Sequence, residues 1–296
     1  MLDVLGVPPQ LLMAQLILGL INGSFYALLS LGLAVIFGML NVINFVHGAL
    51  YMMGAFVAFL LMQFAGVSYW AALILSPLLV GVLGVLIERT MLSRLYKVDH
   101  LYGWLLTFGL TLMIESVFRQ YYGVSGKPYP PPEALSGGID LGVLFLPAYR
   151  AWVIIASMAV CIAIWYAIDR SRFGAYLRAA TENPVLVQTF GINVPRMITL
   201  TYGMGVALAA FAGVLAAPLY QVSPLMGSNI IGIVFAVVVI GGLGSILGTV
   251  VTGIGVGLAE GLVKVYYPEA AQVVVFIVMA LVLMFKPAGL FGRRVR

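Results

Sequence analysis

The Lys and Arg residues of this chain are confined to a few places, and their distribution limits the possible folds more than any other feature. None occurs before Arg89, and eleven of the 15 lie in residues 89–97, 170–196 and 286–296. Overall, 63% of the residues are hydrophobic and only 8% are charged. About 20 apolar residues form a helix that crosses a bilayer, and Lys and Arg collect in the cytoplasmic loops. The pattern predicts a multi-pass protein of a bacterial inner membrane.

The apolar runs predict an all-α transmembrane bundle with broken helices. They cover residues 11–40, 45–64, 69–92, 101–122, 151–168, 197–220, 230–267 and 270–285. We expect eight or nine crossings, because GGLGS interrupts 230–267 and allows either one pass or two short ones. If the basic stretches are cytoplasmic, the N-terminus and a Pro-containing loop, residues 123–149, lie outside. Residues 169–196 and the C-terminus then lie inside, and residues 1–296 form a single transmembrane domain.

Two stretches, residues 32–61 and 235–263, share one pattern: an apolar segment, a polar or Gly-containing interruption, and a segment of small residues. In transporters, interruptions at corresponding places in two repeats point to the translocation pathway. We therefore predict that the pathway is lined by Asn41, Asn44, His47, Gly241, Gly242, Gly244 and Ser245. The alternative places the Asn and His residues at a helix end near the inner interface, and assigns the glycines to helix packing.

Small residues recur every four positions in the second stretch, at Ser245, Thr249, Gly253, Gly257 and Gly261. Such a stripe on one helix face allows two backbones to approach closely in a membrane. We interpret it as a packing face. A helix that moves against its neighbour is the alternative.

The few carboxylates near the apolar runs have basic neighbours. Glu115 precedes Arg119 by four residues and Glu260 precedes Lys264 by four, so each pair can form on one helix face. Glu88 lies beside Arg89 at the inner end of its run, where we expect an anchor at the membrane interface.

Residues 169–196, DRSRFGAYLRAATENPVLVQTFGINVPR, are too long for a tight connection and mix charged with apolar residues. Asn183 followed by Pro184 predicts a short helix that begins near Glu182 or Asn183, because Asn caps helices and Pro favours the first turn. Gly191 would end it. The stretch is either a solvated loop or a docking surface for a cytoplasmic partner.

Motifs for catalysis are missing from the sequence. It contains no phosphate-binding G-x-x-x-x-G-K-[ST] and no H-E-x-x-H, and two His with a single Cys do not make a closed structural zinc site without carboxylates. We expect no enzyme activity, no cofactor and no metal site. The formal net charge of +5 reflects membrane topology, so no nucleic-acid partner is expected.

Four stretches, in the same order along the chain, resemble the permease subunits of ABC importers for branched-chain amino acids, of the LivH type. They are GSFYALLSLGLAVIFGMLNVINFVHGALYMMGAF, RAATENPVLVQTFGINVPRMITLTYGMGVALAAFAGVL, VVIGGLGSILGTVVTGIGVGLAEGL and KPAGLFG. Related permeases handle urea and short amides, which stays open as a substrate class. A self-sufficient channel or secondary transporter and a structural or assembly subunit are the alternatives outside this class.

The resemblance implies a set of partners within the lipid bilayer and on both sides of it. These are a second, similar permease, two cytoplasmic ATPase subunits that bind the ATP, and an external substrate-binding protein. It also implies that residues 178–191 form a coupling segment that seats in the ATPase. The residues expected there are Arg178, Ala179, Ala180, Glu182, Asn183, Leu186, Val187, Phe190 and Gly191.

Overall fold

The computed structural model describes residues 8–40, 44–96, 98–140, 142 and 145–292, which contain eleven α-helices and one two-stranded hairpin. The helices are α1 (Pro9–Leu40), α2 (Val46–Ala65), α3 (Tyr69–Thr90), α4 (His100–Tyr122), α5 (Ala148–Arg170), α6 (Arg172–Glu182), α7 (Pro184–Thr189), α8 (Val194–Tyr220), α9 (Met226–Gly241), α10 (Ile246–Tyr266) and α11 (Ala271–Phe285). The antiparallel strands β1 (Gly138–Asp140) and β2 (Phe145–Pro147) lie between α4 and α5.

Short polar side chains fix where many of these helices begin. Each accepts a hydrogen bond from a backbone N–H of the first turn, which would otherwise lack a partner. The capping residues are Ser68 for α3, Asp99 for α4, Ser171 for α6, Asn183 for α7, Asn193 for α8 and Ser245 for α10.

Eight helical segments among the described residues are long and apolar enough to cross a membrane. The α9 helix is apolar but has only 16 residues, or about 24 Å, which is less than the roughly 30 Å of a hydrocarbon layer. The prediction of an all-α, multi-pass bundle is confirmed. The inside and outside assignment of its ends stays a prediction.

The helices group into two compact units. Unit 1 comprises residues 1–30, 131–161 and 233–296, and unit 2 comprises residues 31–130 and 162–232. Each unit draws on separate parts of the chain, so neither corresponds to one continuous half of the sequence.

Unit 2 is built around α2, α3 and α8, which approach one another at glycines. A Cβ atom on Gly84 of α3 would lie 2.8 Å from Val206 of α8, and one on Gly54 of α2 would collide with the backbone of Ala210. Small residues at helix contacts permit this close approach. The core of unit 2 includes Ile36, Val46, Leu50, Val80, Tyr202 and Val206.

In unit 1, the first part of α1 packs against α10 along the small-residue stripe. A Cβ atom on Gly253 would lie 2.5 Å from the backbone N of Ala27, and one on Gly257 would collide with Gly23. The predicted packing face is therefore confirmed, because the stripe residues of α10 meet a second row of small residues on α1.

Candidate functional site

The first interruption separates α1 from α2, and its described residues are held by polar groups from other helices. The Asn44 side chain donates from Nδ2 to the Tyr202 hydroxyl of α8 at 3.2 Å. The backbone N–H of Phe45 donates to Thr107 Oγ1 of α4 at 3.3 Å. The Thr107 hydroxyl thus pairs a backbone N–H where regular helix hydrogen bonds stop, and Tyr202 holds a side chain of the same segment.

Asn44 and His47 are both buried in unit 2, with His47 fully inaccessible to solvent. A Cβ atom on Gly32 of α1 would lie 3.1 Å from His47 Cε1, so the imidazole packs directly against that helix. Neither side chain is therefore exposed to lipid headgroups. Asn44 does lie at a helix end, two residues before α2, and the depth of both residues in the membrane stays a prediction. Asn41, which was predicted to lie beside them, falls outside the described residues.

A buried carboxylate, Glu88 of α3, contacts α8 at Thr199, one helical turn before Tyr202. Glu88 of α3 accepts a hydrogen bond from Thr199 Oγ1 at 2.8 Å and one from the Tyr96 hydroxyl at 2.7 Å. Glu88 is only 2% exposed, so its predicted role as an anchor at the membrane interface is wrong. Tyr96 is eight residues from Glu88, but Thr199 is 111 residues away, and for that reason sequence spacing gave no indication of this cluster.

Tyr96, which follows the α3 span, is affected by its burial beside Glu88. Burial, the hydrogen bond to Glu88 and the nearby Glu88 charge raise the pKa of Tyr96 above its usual range. The phenol therefore remains protonated at neutral pH and can donate its hydrogen bond to the carboxylate.

The second interruption separates α9 from α10 and lies in unit 1. Gly242 and Gly244 have φ angles of 103° and 80°, which side-chain-bearing residues rarely adopt. Ser245 accepts from the N–H of Gly248 at 3.2 Å and so begins α10. Gly241 and Gly242 are buried, whereas Gly244 is exposed.

The segment after α11 covers this second interruption. The N–H of Leu290 donates to the carbonyl of Ile240 at 2.8 Å, and that of Phe291 donates to Gly241 at 3.1 Å. A Cβ atom on Gly242 would lie 2.5 Å from the backbone N of Gly292. The last carbonyls of α9 are thus paired with backbone donors of residues 290–291, an arrangement that the sequence did not predict.

The two predicted carboxylate pairs have different outcomes. In unit 1, Glu260 receives Lys264 Nζ at 2.5 Å and the Tyr26 hydroxyl at 2.7 Å, so that pair is confirmed. In unit 2, Glu115 accepts a hydrogen bond from Ser228 Oγ. Among the described residues, Arg119 forms no ion pair with Glu115, so the second pair is wrong.

The charged connection between α5 and α8 folds into two short helices. Asn183 accepts from the N–H of Leu186 at 2.9 Å, Pro184 occupies the first turn of α7, and Gly191 follows it with φ of 78°. The predicted short helix and its cap are therefore confirmed. The preceding helix, α6, was not predicted; Ser171 begins it by accepting from the N–H of Gly174 at 3.1 Å.

The predicted coupling residues divide into a structural set and an exposed set. Ala180 and Val187 pack together with Val194, the first residue of α8. The Arg178 guanidinium donates to the carbonyls of Ile168 and Asp169 at 3.0 and 3.4 Å, which holds the end of α5. The exposed set comprises Ala179, Glu182, Asn183, Leu186, Phe190 and Gly191.

The exposed side of α7 is unusually apolar for a segment that leaves the membrane spans. Phe190 is 76% exposed, Val185 71% and Leu186 52%. Three large apolar side chains on one exposed turn are typical of a surface that another protein covers.

Comparison with known proteins places these features in a family. Residues 15–283 match the family described as branched-chain amino acid transport system, permease component. The chain is 31% identical over 293 residues to the high-affinity branched-chain amino acid transport system permease protein BraD of Pseudomonas aeruginosa, covering 94% of this chain and 95% of BraD. It is 30% identical over 294 residues to LivH of Escherichia coli, with the same coverage.

A more distant relative is LivM of Escherichia coli, a permease protein of the same kind of transport system. The identity is 26% over 289 residues, which cover 90% of this chain and 67% of LivM. No solved structure matches the chain significantly. With eight helical segments able to cross a membrane and a family match over residues 15–283, this multi-pass membrane protein belongs to the permease components of branched-chain amino acid transport systems.

Proposed function

We propose that the chain is one permease of an ATP-driven importer in a bacterial inner membrane and that it carries branched-chain or similar small apolar amino acids. The family match over residues 15–283 carries this proposal. BraD and LivH are named as permeases of high-affinity branched-chain amino acid transport systems, and their similarity extends over 94% of the chain.

The proposed importer contains further subunits. LivM, a permease also similar to this chain, supports pairing with a second, related permease. Two cytoplasmic ATPase subunits would bind and hydrolyse ATP, and an external binding protein would deliver the amino acid. The chain itself would hydrolyse nothing and would hold no cofactor.

Coupling to the ATPase is assigned to α7 and its flanks, residues 178–191. The Asn183 side chain fixes the start of α7, and the buried cluster of Ala180, Val187 and Val194 joins α7 to the start of the α8 span. The exposed Leu186 and Phe190 side chains would fill an apolar groove of the ATPase. Binding of ATP would then shift the permease between outward-facing and inward-facing states through α7.

A single substitution directly after α7 tests this assignment. Phe190→Ser removes an exposed apolar side chain, so the fold should survive while co-purification with the ATPase falls at least tenfold, as expected for a central interface aromatic. The matched control is Phe145→Ser, a 66% exposed phenylalanine in the predicted external loop. Co-purification and ATP-dependent leucine uptake into proteoliposomes are the measurements.

Normal co-purification and uptake in Phe190→Ser would contradict the assignment of α7 and its flanks to the ATPase interface. Leucine uptake by the chain alone, without any ATPase, would contradict the importer proposal and support a self-sufficient carrier. Uptake of urea or acetamide in place of leucine would keep the class and change the substrate.

A further inference from the structure

The Glu88 cluster connects the proposed coupling segment to the first interruption. Val187 of α7 lies in one buried cluster with Ala180 and Val194, so a displacement of α7 reaches the first residue of α8 through this cluster. Five residues later, Thr199 donates to Glu88 of α3. One turn further along the same face, Tyr202 receives the hydrogen bond from Asn44.

Small residues also form the contact between α3 and α8. Gly84 of α3 lies against Val206, and Gly203 of α8 lies against Val85, where a Cβ atom would be 2.7 Å from the Val85 side chain. Close packing of small residues lets helices approach. The hydrogen bond from Thr199 to Glu88 adds a directional contact to this packing and so helps to fix the register of the two helices.

Burial of an ionisable side chain such as Glu88 costs free energy unless hydrogen bonds or an ion pair offset it. Glu88 is 2% exposed, and in the described part of the chain it forms no ion pair. Its two oxygens instead receive one donor each, from α8 and from the segment after α3. A carboxyl group buried at the end of a span is stable there only because such donors compensate for the lost water, so loss of either donor should affect the contact between α3 and α8.

We propose that Glu88 is a positioning residue of the transport cycle that holds the start of α8 in place against the end of α3. We call the hydrogen-bonded group of Thr199, Glu88 and Tyr96 the pin. The inference rests on the proposed function. With the pin in place, a displacement of α7 moves α8 and α3 together and carries the Tyr202–Asn44 contact with them. Without it, the first turns of α8 bend, and ATP hydrolysis no longer moves the span.

The chain offers a closely matched pair of substitutions for a test. Thr199→Val removes the hydroxyl that donates to Glu88 and that also lies 3.1 Å from the Pro195 carbonyl. Thr201→Val alters a hydroxyl in the same helix that is also buried and has no hydrogen-bond partner among the described residues. Tyr96→Phe removes the other donor to the carboxylate. All three changes preserve side-chain size closely.

The readout is the ratio of leucine taken up to ATP hydrolysed by the reconstituted complex. Thr199→Val and Tyr96→Phe should lower this ratio about five- to tenfold, the factor for one buried hydrogen bond lost from the coupled state. Thr201→Val should leave it unchanged. A purely structural role predicts less assembled complex but an unchanged ratio per complex, and that result would overturn the proposal.

Hydrogen exchange on the purified chain distinguishes an error in the proposed role of Glu88 from an error in the proposed importer function. In Thr199→Val, but not in Thr201→Val, the amides of the first three turns of α8 should exchange faster. Unchanged exchange would show that no pin exists. Faster exchange, together with a wild-type complex that takes up no leucine, would contradict the proposed function while leaving the pin in place.

Discussion

The interruption between α1 and α2 and the interruption between α9 and α10 look alike in the sequence but are stabilised in different ways. In the first, buried side chains from other helices hold the chain: Tyr202 accepts from Asn44, and Thr107 accepts from the N–H of Phe45. In the second, backbone groups do so, because the N–H groups of Leu290 and Phe291 donate to the end of α9.

The difference shows two solutions to one physical problem. A helix that ends within a membrane protein leaves carbonyl and N–H groups that must find partners. Polar side chains solve this at the first interruption and require specific residues at precise positions. A neighbouring segment of backbone solves it at the second, and it requires glycines, since any Cβ would hold the two segments apart.

The largest effect is expected where backbone meets backbone. In Gly242→Ala the new Cβ atom would lie 2.5 Å from Gly292 N, and the residue would keep a φ of 103°. Strain and the loss of the Leu290 and Phe291 hydrogen bonds should destabilise the protein by about 3 kcal/mol or more. The measurement is thermal unfolding of the purified chain in detergent.

Gly109→Ala is the control for this change. Gly109 lies within α4, and a Cβ atom there would meet no other atom within 4 Å. Alanine should be neutral or slightly stabilising in that helix. Equal unfolding temperatures for Gly242→Ala and Gly109→Ala would show that residues 286–292 do not cover the second interruption as described.

The sequence predicted the features that depend on local patterns. Apolar runs predicted the spans, and the Asn183–Pro184 pair with Gly191 predicted α7 and its boundaries. These succeed because a helix start depends on residues within one turn. The small-residue stripe of α10 was also interpretable, since spacing alone places its members on one face.

The sequence could not predict partners that are distant along the chain. Glu88 appeared to be an interfacial anchor because its neighbour is Arg89, but its actual partner, Thr199, lies 111 residues away. Likewise, nothing local to Gly241 indicates that Phe291 will donate to its carbonyl. Glycines that allow another backbone segment to approach and glycines that line a pathway have the same spacing in the sequence, so spacing alone does not distinguish them.

An intermediate effect is expected at the first interruption. Tyr202→Phe removes the acceptor for Asn44 Nδ2 and leaves a buried amide without that partner, so unfolding should become easier by about 1–2 kcal/mol. Tyr129→Phe is the control, because in the described part of the chain that buried hydroxyl has no hydrogen-bond partner. Burial raises the pKa of Tyr129 to about 12, so its phenol is neutral under the assay conditions.

Tyr129→Phe should be neutral or slightly stabilising, since it removes a buried polar group without a partner. If both tyrosine variants unfold at the wild-type temperature, the Asn44–Tyr202 contact contributes nothing to stability. The contrast between an interruption held by side chains and one held by backbone would then lose its first half.

The smallest effect is expected from Ser245, whose side chain caps the start of α10 at the second interruption. It accepts from Gly248 N–H at 3.2 Å, and removing a serine cap costs about 1 kcal/mol. Ser245→Ala should therefore lower the unfolding temperature less than Tyr202→Phe, and Ser245→Asp should restore it because aspartate also caps helices. Ser125→Ala, at an exposed loop position, should change nothing. A larger loss in Ser245→Ala than in Gly242→Ala would reverse the comparison, because side chains would then dominate at both interruptions.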